Sequence, residues 1–136
     1  MIVYERVVRF EDVDAAGIVF FARYANMAHE AVEQFFGALE GGYPGLINRR
    51  KIGLPIVRLE AEYHSSLRYG DIASIETSCR KIGRTSAVIV SDFRLSTMPA
   101  SCATVVLTVA CASLVRMESC PMPEDVRAHL TAHLVP

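Results

Sequence analysis

Apolar and polar residues change their period several times along this chain, and each change marks an element. Residues 57–64 alternate strictly, with Val57, Leu59, Ala61 and Tyr63 set against Arg58, Glu60, Glu62 and His64. That two-residue period is the pattern of a strand with one face toward a core. Residues 21–36 follow a different rule. Tyr24, Met27, Ala28, Ala31, Phe35 and Leu39 recur at steps of three and four, while Arg23, Asn26, Glu30 and Glu33 take the other side. Such spacing predicts an amphipathic helix, which Gly37 and then Gly41-Gly42 can end.

The remaining segments fall into place around these two. Residues 2–10 (IVYERVVRF) are rich in β-branched and aromatic types and predict a strand. Residues 41–53 predict a loop with a short helical turn. Residues 71–81, 85–96 and 101–116 predict three more strands, separated by the Gly83 turn and the Met98-Pro99 break. The last of them is nearly continuous in apolar character, as expected near the centre of a sheet. Pro123 then opens a short closing helix over 123–133. The order is strand, helix, then four strands joined by short turns. This predicts an α+β domain with an antiparallel sheet of five strands. One helix covers one face of such a sheet, and a second subunit is the simplest cover for the other, so a homo-oligomer is expected.

Composition narrows the class without naming a function. The 136 residues suit one domain, residues 1–136, and the 51% hydrophobic content supports a core without disulfides. A net charge of −1, with acids and bases interspersed, gives no electrostatic basis for a nucleic-acid or anionic-membrane partner. The charged N-terminus is unlike a signal peptide, and the longest apolar stretch, Val105–Val115, is too short to span a bilayer. Cys79, Cys102, Cys111 and Cys120 lack CxxC spacing and neighbouring histidines, so reduced thiols, no zinc site and a cytoplasmic address are expected.

One stretch stands out chemically: residues 10–24, FEDVDAAGIVFFARY, place Asp12 and Asp14 directly before the predicted helix. An acid there can simply cap the helix or favour its dipole, for roughly 0.3–1 kcal/mol. It can also be a reactive carboxylate beside backbone N–H groups that lack intrahelical partners. Capping needs one acid and asks for neither Gly17 nor the Phe20-Phe21 pair.

The run D-x-D-A-A-G-I-V-F-F-A-R-Y, ahead of a helix and four strands, resembles the hotdog-fold acyl-CoA thioesterases of the 4-hydroxybenzoyl-CoA type. The similarity continues through IGLPIVRLEAEYHSSLRYGDIASIETSCRKIGRTS, and covers residues 4–96. The segment Met27-Ala28-His29-Glu30-Ala31, with LPIV further on, also resembles the branch that hydrolyses 1,4-dihydroxy-2-naphthoyl-CoA. This resemblance implies a five-stranded antiparallel sheet wrapped around one long central helix. It implies a dimer joined edge to edge, often paired into a tetramer, with sites at the subunit interface and no metal or organic cofactor. It places the catalytic carboxylate on Asp14 and leaves the role of Asp12 open.

A thioester needs a nucleophile and a stabilised oxyanion. The resemblance assigns Asp14 as nucleophile or general base. The N–H groups between Gly17 and Phe21 would be the oxyanion donors, with Phe21 the best single candidate. Phe20, Phe21, Tyr24 and a neighbour's Ile56 would line the acyl pocket, and His29 could meet a hydroxylated acyl group, although ordinary core or interface packing is the plainer reading of each. CoA phosphates want arginine or lysine. Arg80, Lys81 and Arg84 offer them on the Gly83 turn, where a solvated hairpin is the plain alternative. Arg116 and the loop residues Arg49, Arg50 and Lys51 are weaker candidates. The expected substrate is an aromatic acyl-CoA, with aliphatic acyl-CoA or an acyl carrier protein as alternatives. A hydratase would want an Asp–His pair that Asp14 and His29 do not make. An acyl-CoA-sensing module would tolerate loss of Asp14.

Overall fold

A computed structural model describes all 136 residues. The β-rich segments pair into one antiparallel sheet. Its strands are β1 (Ile2–Val7), β3 (Ile56–Tyr63), β4 (Ile72–Ile82), β5 (Ser86–Leu95) and β6 (Ser101–Ala110), in the order β1-β4-β5-β6-β3. Helix α1 (Arg23–Phe35) lies across it. Its buried stripe, Tyr24, Met27, Ala28, Ala31, Val32 and Phe35, joins one core with Ala73, Ile75, Ile89, Phe93, Val105 and Leu107 of the inner sheet face. Helix α3 (Glu124–Ala132) adds Val126 and Leu130 to that core. No helix is long and apolar enough to cross a membrane.

Several boundaries depart from the expectations: the strand expected over 2–10 ends at Val7, and Phe10–Asp12 form a 3-10 turn. Helix α1 begins at Arg23, two residues later than its periodicity suggests, because the Phe20 N–H donates to the Asp12 carbonyl (2.9 Å) and holds the chain off a helical path. Strand β6 stops at Ala110, where the Cys111 N–H turns to the Thr85 carbonyl (2.6 Å). The chain resumes as β7 (Ala112–Ser113), which lies between β2 (Ile52–Gly53) and β8 (Glu118–Ser119) in a second, small sheet. Most of 41–53 is helical turn: α2 (Gly42–Pro44) runs into a π turn over Gly45–Arg49. The four cysteines are free thiols, and the Sγ atoms of Cys111 and Cys120 approach to 3.6 Å.

The two faces of the sheet differ. The inner face is buried. The outer face is half-buried, with Ser74, Glu76, Ser78, Asp92, Arg94, Thr104 and Thr108 among a few valines. Edge strand β3 is exposed on both faces, so Leu59 and Tyr63 remain 47% and 48% accessible although their register with Leu107 and Ala103 puts them on the core side.

A chain of ion pairs ties β1 to α1. Arg6, 5% exposed, is bonded to fully buried Asp12 and reaches Glu30 through Nε (3.1 Å) and Nη2 (3.2 Å). The Asp12 carboxylate also accepts the Arg9 N–H (2.7 Å) and both Nε (3.1 Å) and Nη2 (2.8 Å) of Arg23. Tyr4 donates its hydroxyl to Glu30 (3.1 Å). Burial works to raise the Asp12 pKa, but the hydrogen bonds from Arg6, the Arg9 N–H and Arg23 outweigh it and hold the carboxyl below its ordinary value.

Removing one partner of a buried pair strands the other charge, so Asp12→Ala should cost about 3–5 kcal/mol in denaturant unfolding. Because the folded carboxyl is the stronger acid, its stabilisation is complete above its unfolded pKa and disappears as pH falls through the folded value. Wild-type unfolding free energy should therefore hold between neutral pH and about 5 and decline below about 4, less steeply in Asp12→Asn.

Candidate active site

The two acids of D-x-D lie in opposite environments. Asp12 is sealed among arginines, whereas Asp14 is exposed on a tight loop. Val13 and Val19 bridge across that loop, with the Asp14 N–H donating to the Ile18 carbonyl (3.0 Å) and the Gly17 N–H to the Asp14 carbonyl (3.0 Å). Gly17 has φ +78°, which explains the glycine: the turn demands a left-handed residue. The Asp14 Oδ1 accepts the Ala16 N–H (2.9 Å), leaving Oδ2 without a protein partner.

The backbone donors from Gly17 to Phe21 sort themselves by partner. Gly17 is occupied by Asp14, Val19 donates to the Leu67 carbonyl (2.9 Å), and Phe20 donates to Asp12. Ile18 and Phe21 have no acceptor in the protein. Gly17 thus shapes the loop and does not offer a free N–H. The Phe21 N–H stands just ahead of α1, where helix geometry leaves donors unpaired.

Asp14 and Phe21 open onto one cavity of ≈ 460 Å³. Phe20, Tyr24 and Tyr63 give it an aromatic lining, and His64, Ser65 and Ser66 form a polar border. Phe20 and Phe21 stack obliquely at 4.7 Å, and Tyr24 meets Tyr63 edge-on at 5.3 Å. Tyr63 through Ser66 were not singled out from the sequence. Their signal was the point where the alternation of β3 gives way to a polar H-S-S run. A second cavity, bordered by Phe10, Val13, Ala15 and Tyr69, reaches Asp14 from the other side of its loop.

Within one protomer the other expected residues lie elsewhere. His29 packs edge-on against Tyr43 (6.0 Å) and does not line the Asp14 cavity. Ile56 begins β3 while Asp14 adjoins the other end of that strand, a separation of roughly 20–25 Å at 3.3 Å per residue. Arg80, Lys81 and Arg84 also sit at the far end of the sheet, beside the β4–β5 turn. Arg80 borders a cavity on the outer face with Glu60, Glu62, Thr104 and Val106. Arg50 is engaged with Asp125 through two bonds of 2.6 and 2.8 Å, which fastens α3.

Residues 8–130 match the thioesterase-like superfamily, and the chain belongs to that family. It is similar to a 1,4-dihydroxy-2-naphthoyl-CoA hydrolase from Synechococcus elongatus, at 34% identity over 91% of this chain and 90% of the relative. It is also similar to the acyl-CoA thioesterase YbgC of Haemophilus influenzae, at 26% identity over 89% of this chain and 88% of that one. Among solved structures, a gentisyl-coenzyme A thioesterase superposes with a TM-score of 0.81 at 31% identity, covering 92% of this chain and 98% of the other. A thioesterase-superfamily protein from Jannaschia sp. CCS1 superposes at 0.91 with 23% identity, covering 99% and 94%, and shares the hotdog fold.

A methyl group at Gly17 would meet nothing within 4 Å, so only the left-handed backbone opposes it. Gly17→Ala should therefore lower unfolding free energy by about 1–2 kcal/mol while the fold persists, as chemical denaturation and circular dichroism would read.

Proposed function

We propose that this chain is an acyl-CoA thioesterase for an aromatic acyl group, with Asp14 as its reactive carboxylate and the Phe21 N–H as oxyanion donor. The observation that carries this reading is the shared cavity, whose lining joins Asp14, with a carboxylate oxygen that has no protein partner, and Phe21, with an unpaired backbone N–H, to aromatic side chains. Two relatives with aromatic acyl groups in their names, 1,4-dihydroxy-2-naphthoyl-CoA and gentisyl-CoA, support the choice of acyl class.

The chemistry follows from these positions. As nucleophile, Asp14 Oδ2 adds to the thioester carbonyl, CoA thiolate leaves, and water then opens the acyl–aspartyl anhydride. As general base, the same oxygen takes a proton from water while the water oxygen adds, and the thiolate leaves with that proton. Both routes put negative charge on the carbonyl oxygen, which the Phe21 N–H would meet at the start of α1. No cofactor enters either route. In this reading α1 is the central helix that the sheet wraps.

The site also calls for a second subunit. Edge strand β3 has unpaired backbone and accessible apolar side chains, the features of a strand awaiting a partner. Two-fold antiparallel pairing of β3 with its copy would set Ile56 of the partner subunit beside Tyr63 and the Asp14 cavity. It would also bring the partner's Gly83 turn to the same end of the joint sheet. At 4.8 Å per strand, that turn would stand roughly 15–20 Å away, within the reach of an extended CoA arm. We therefore assign the acyl wall to Ile56 and the phosphate contacts to Arg80, Lys81 and Arg84 of the partner subunit. A homodimer is the least assembly that completes the site, and a tetramer would pair two such dimers. The free thiols suit a reducing compartment, and we place the enzyme in the cytoplasm.

Release of CoA thiol across acyl-CoAs, from benzoyl and dihydroxynaphthoyl to aliphatic chains, tests the reading. Asp14→Asn should lower kcat by about 100-fold or more with folding intact. Undiminished hydrolysis in this variant would remove Asp14 from the mechanism, and a preference for aliphatic chains would overturn the aromatic assignment. Arg84→Ala should raise KM several-fold for full CoA thioesters and leave kcat and the KM for truncated pantetheine thioesters unchanged.

A further inference from the structure

The Phe21 N–H can act on an oxyanion only if the backbone around it is held still, and the structure shows what holds it. The peptide group before Phe21 is fixed through the Phe20 carbonyl, which accepts the Arg23 N–H at 2.8 Å. The peptide group after it is fixed through the Phe21 carbonyl. That oxygen receives the Tyr24 N–H at a long 3.4 Å and the Tyr63 hydroxyl at 3.1 Å. Phe21 precedes the first helical residue and is 62% exposed, so its orientation rests on these few turn bonds and not on side-chain packing.

Tyr63 is suited to this task by its own supports. It ends β3, in register with Ala103 on β6, and its ring meets Tyr24 of α1 edge-on. Its body is thus braced by the sheet on one side and the helix on the other, while the hydroxyl donates to the turn before α1.

We propose that Tyr63 is a positioning residue for thioester hydrolysis: its hydroxyl clamps the Phe21 carbonyl and so steadies the turn that carries the Phe21 N–H beside the Asp14 cavity. The inference rests on the thioesterase reading for its catalytic consequence, but the clamp is a property of the free protein. A preorganised donor acts without reorganising during reaction, and removal of one such donor costs 10²–10³-fold in kcat where measured directly. Loosening a donor without removing it should cost less.

Tyr63→Phe deletes only the hydroxyl. The expected result is a fall in kcat of about tenfold, KM within about twofold and a thermal midpoint unchanged within about 2 °C. In NMR, amide exchange of Arg23 and Tyr24 should quicken several-fold, because the turn they close has lost its clamp. Tyr63→Leu, which also removes the ring, should lower both kcat and the midpoint. An unchanged kcat in Tyr63→Phe, with Asp14→Asn inactive on the same substrate, would overturn the positioning role and leave the thioesterase reading intact. If Asp14→Asn is as active as wild type, that reading fails, and exchange still decides the clamp: unchanged protection of Arg23 and Tyr24 in Tyr63→Phe would overturn it.

Discussion

The buried Arg6–Asp12 pair is the constraint around which the N-terminal third is built. A guanidinium and a carboxylate removed from water are tolerable only when nearly every donor and acceptor is matched. Here Asp12 accepts from Arg6, Arg23 and the Arg9 N–H, and Arg6 extends to Glu30. These demands fix where β1 ends, how the turn after it runs, and how the first turn of α1 faces the sheet. The Asp12 carbonyl then binds the Phe20 N–H. The loop that presents Asp14 is thus held at its base by a residue two positions away with no exposure of its own.

This separates two acids that look alike in the sequence. One is structural because it is surrounded by three sources of positive charge or N–H donation. The other is exposed, and the loop leaves one of its oxygens without a protein partner. The same contrast runs through the backbone donors. Gly17, Val19 and Phe20 have acceptors, and Phe21 does not, so hydrogen-bond bookkeeping reduces five candidates to two. Local polar matching therefore delimits the site more sharply than proximity to the helix does.

Much of the fold was legible from periodicity alone. The three-and-four spacing of α1 reports burial on one face, and α1 buries that face; the alternation at Val57–His64 marks a strand, but one at the sheet edge whose core-side residues stay accessible. What stayed hidden depended on contacts distant in the chain. The break at Cys111 follows from the Thr85 carbonyl across a hairpin, and nothing in the apolar run Val105–Val115 marks it. The residue pattern alone did not separate Asp12 from Asp14, which only the family resemblance told apart, because the decisive partners are Arg6 and Arg23 in other elements. Tyr63 read as one more apolar position of a strand. Its hydroxyl acquires meaning only where β3 passes the turn before α1.

The ion network has a further property in time. Its links join residues 6, 11, 24 and 26 positions apart, all between Tyr4 and Glu30. The ladder of β1, by contrast, needs β4, whose residues lie about 70 positions away. Contacts of short sequence separation close fast, and distant pairings wait on loop closure. A chain emerging from a ribosome can therefore satisfy Arg6 with Asp12 and Glu30 long before its sheet exists. The segment that leads into Asp14 would be among the first parts of the molecule to find its polar partners. The edge it later presents to β4 would be aligned before that strand has been made.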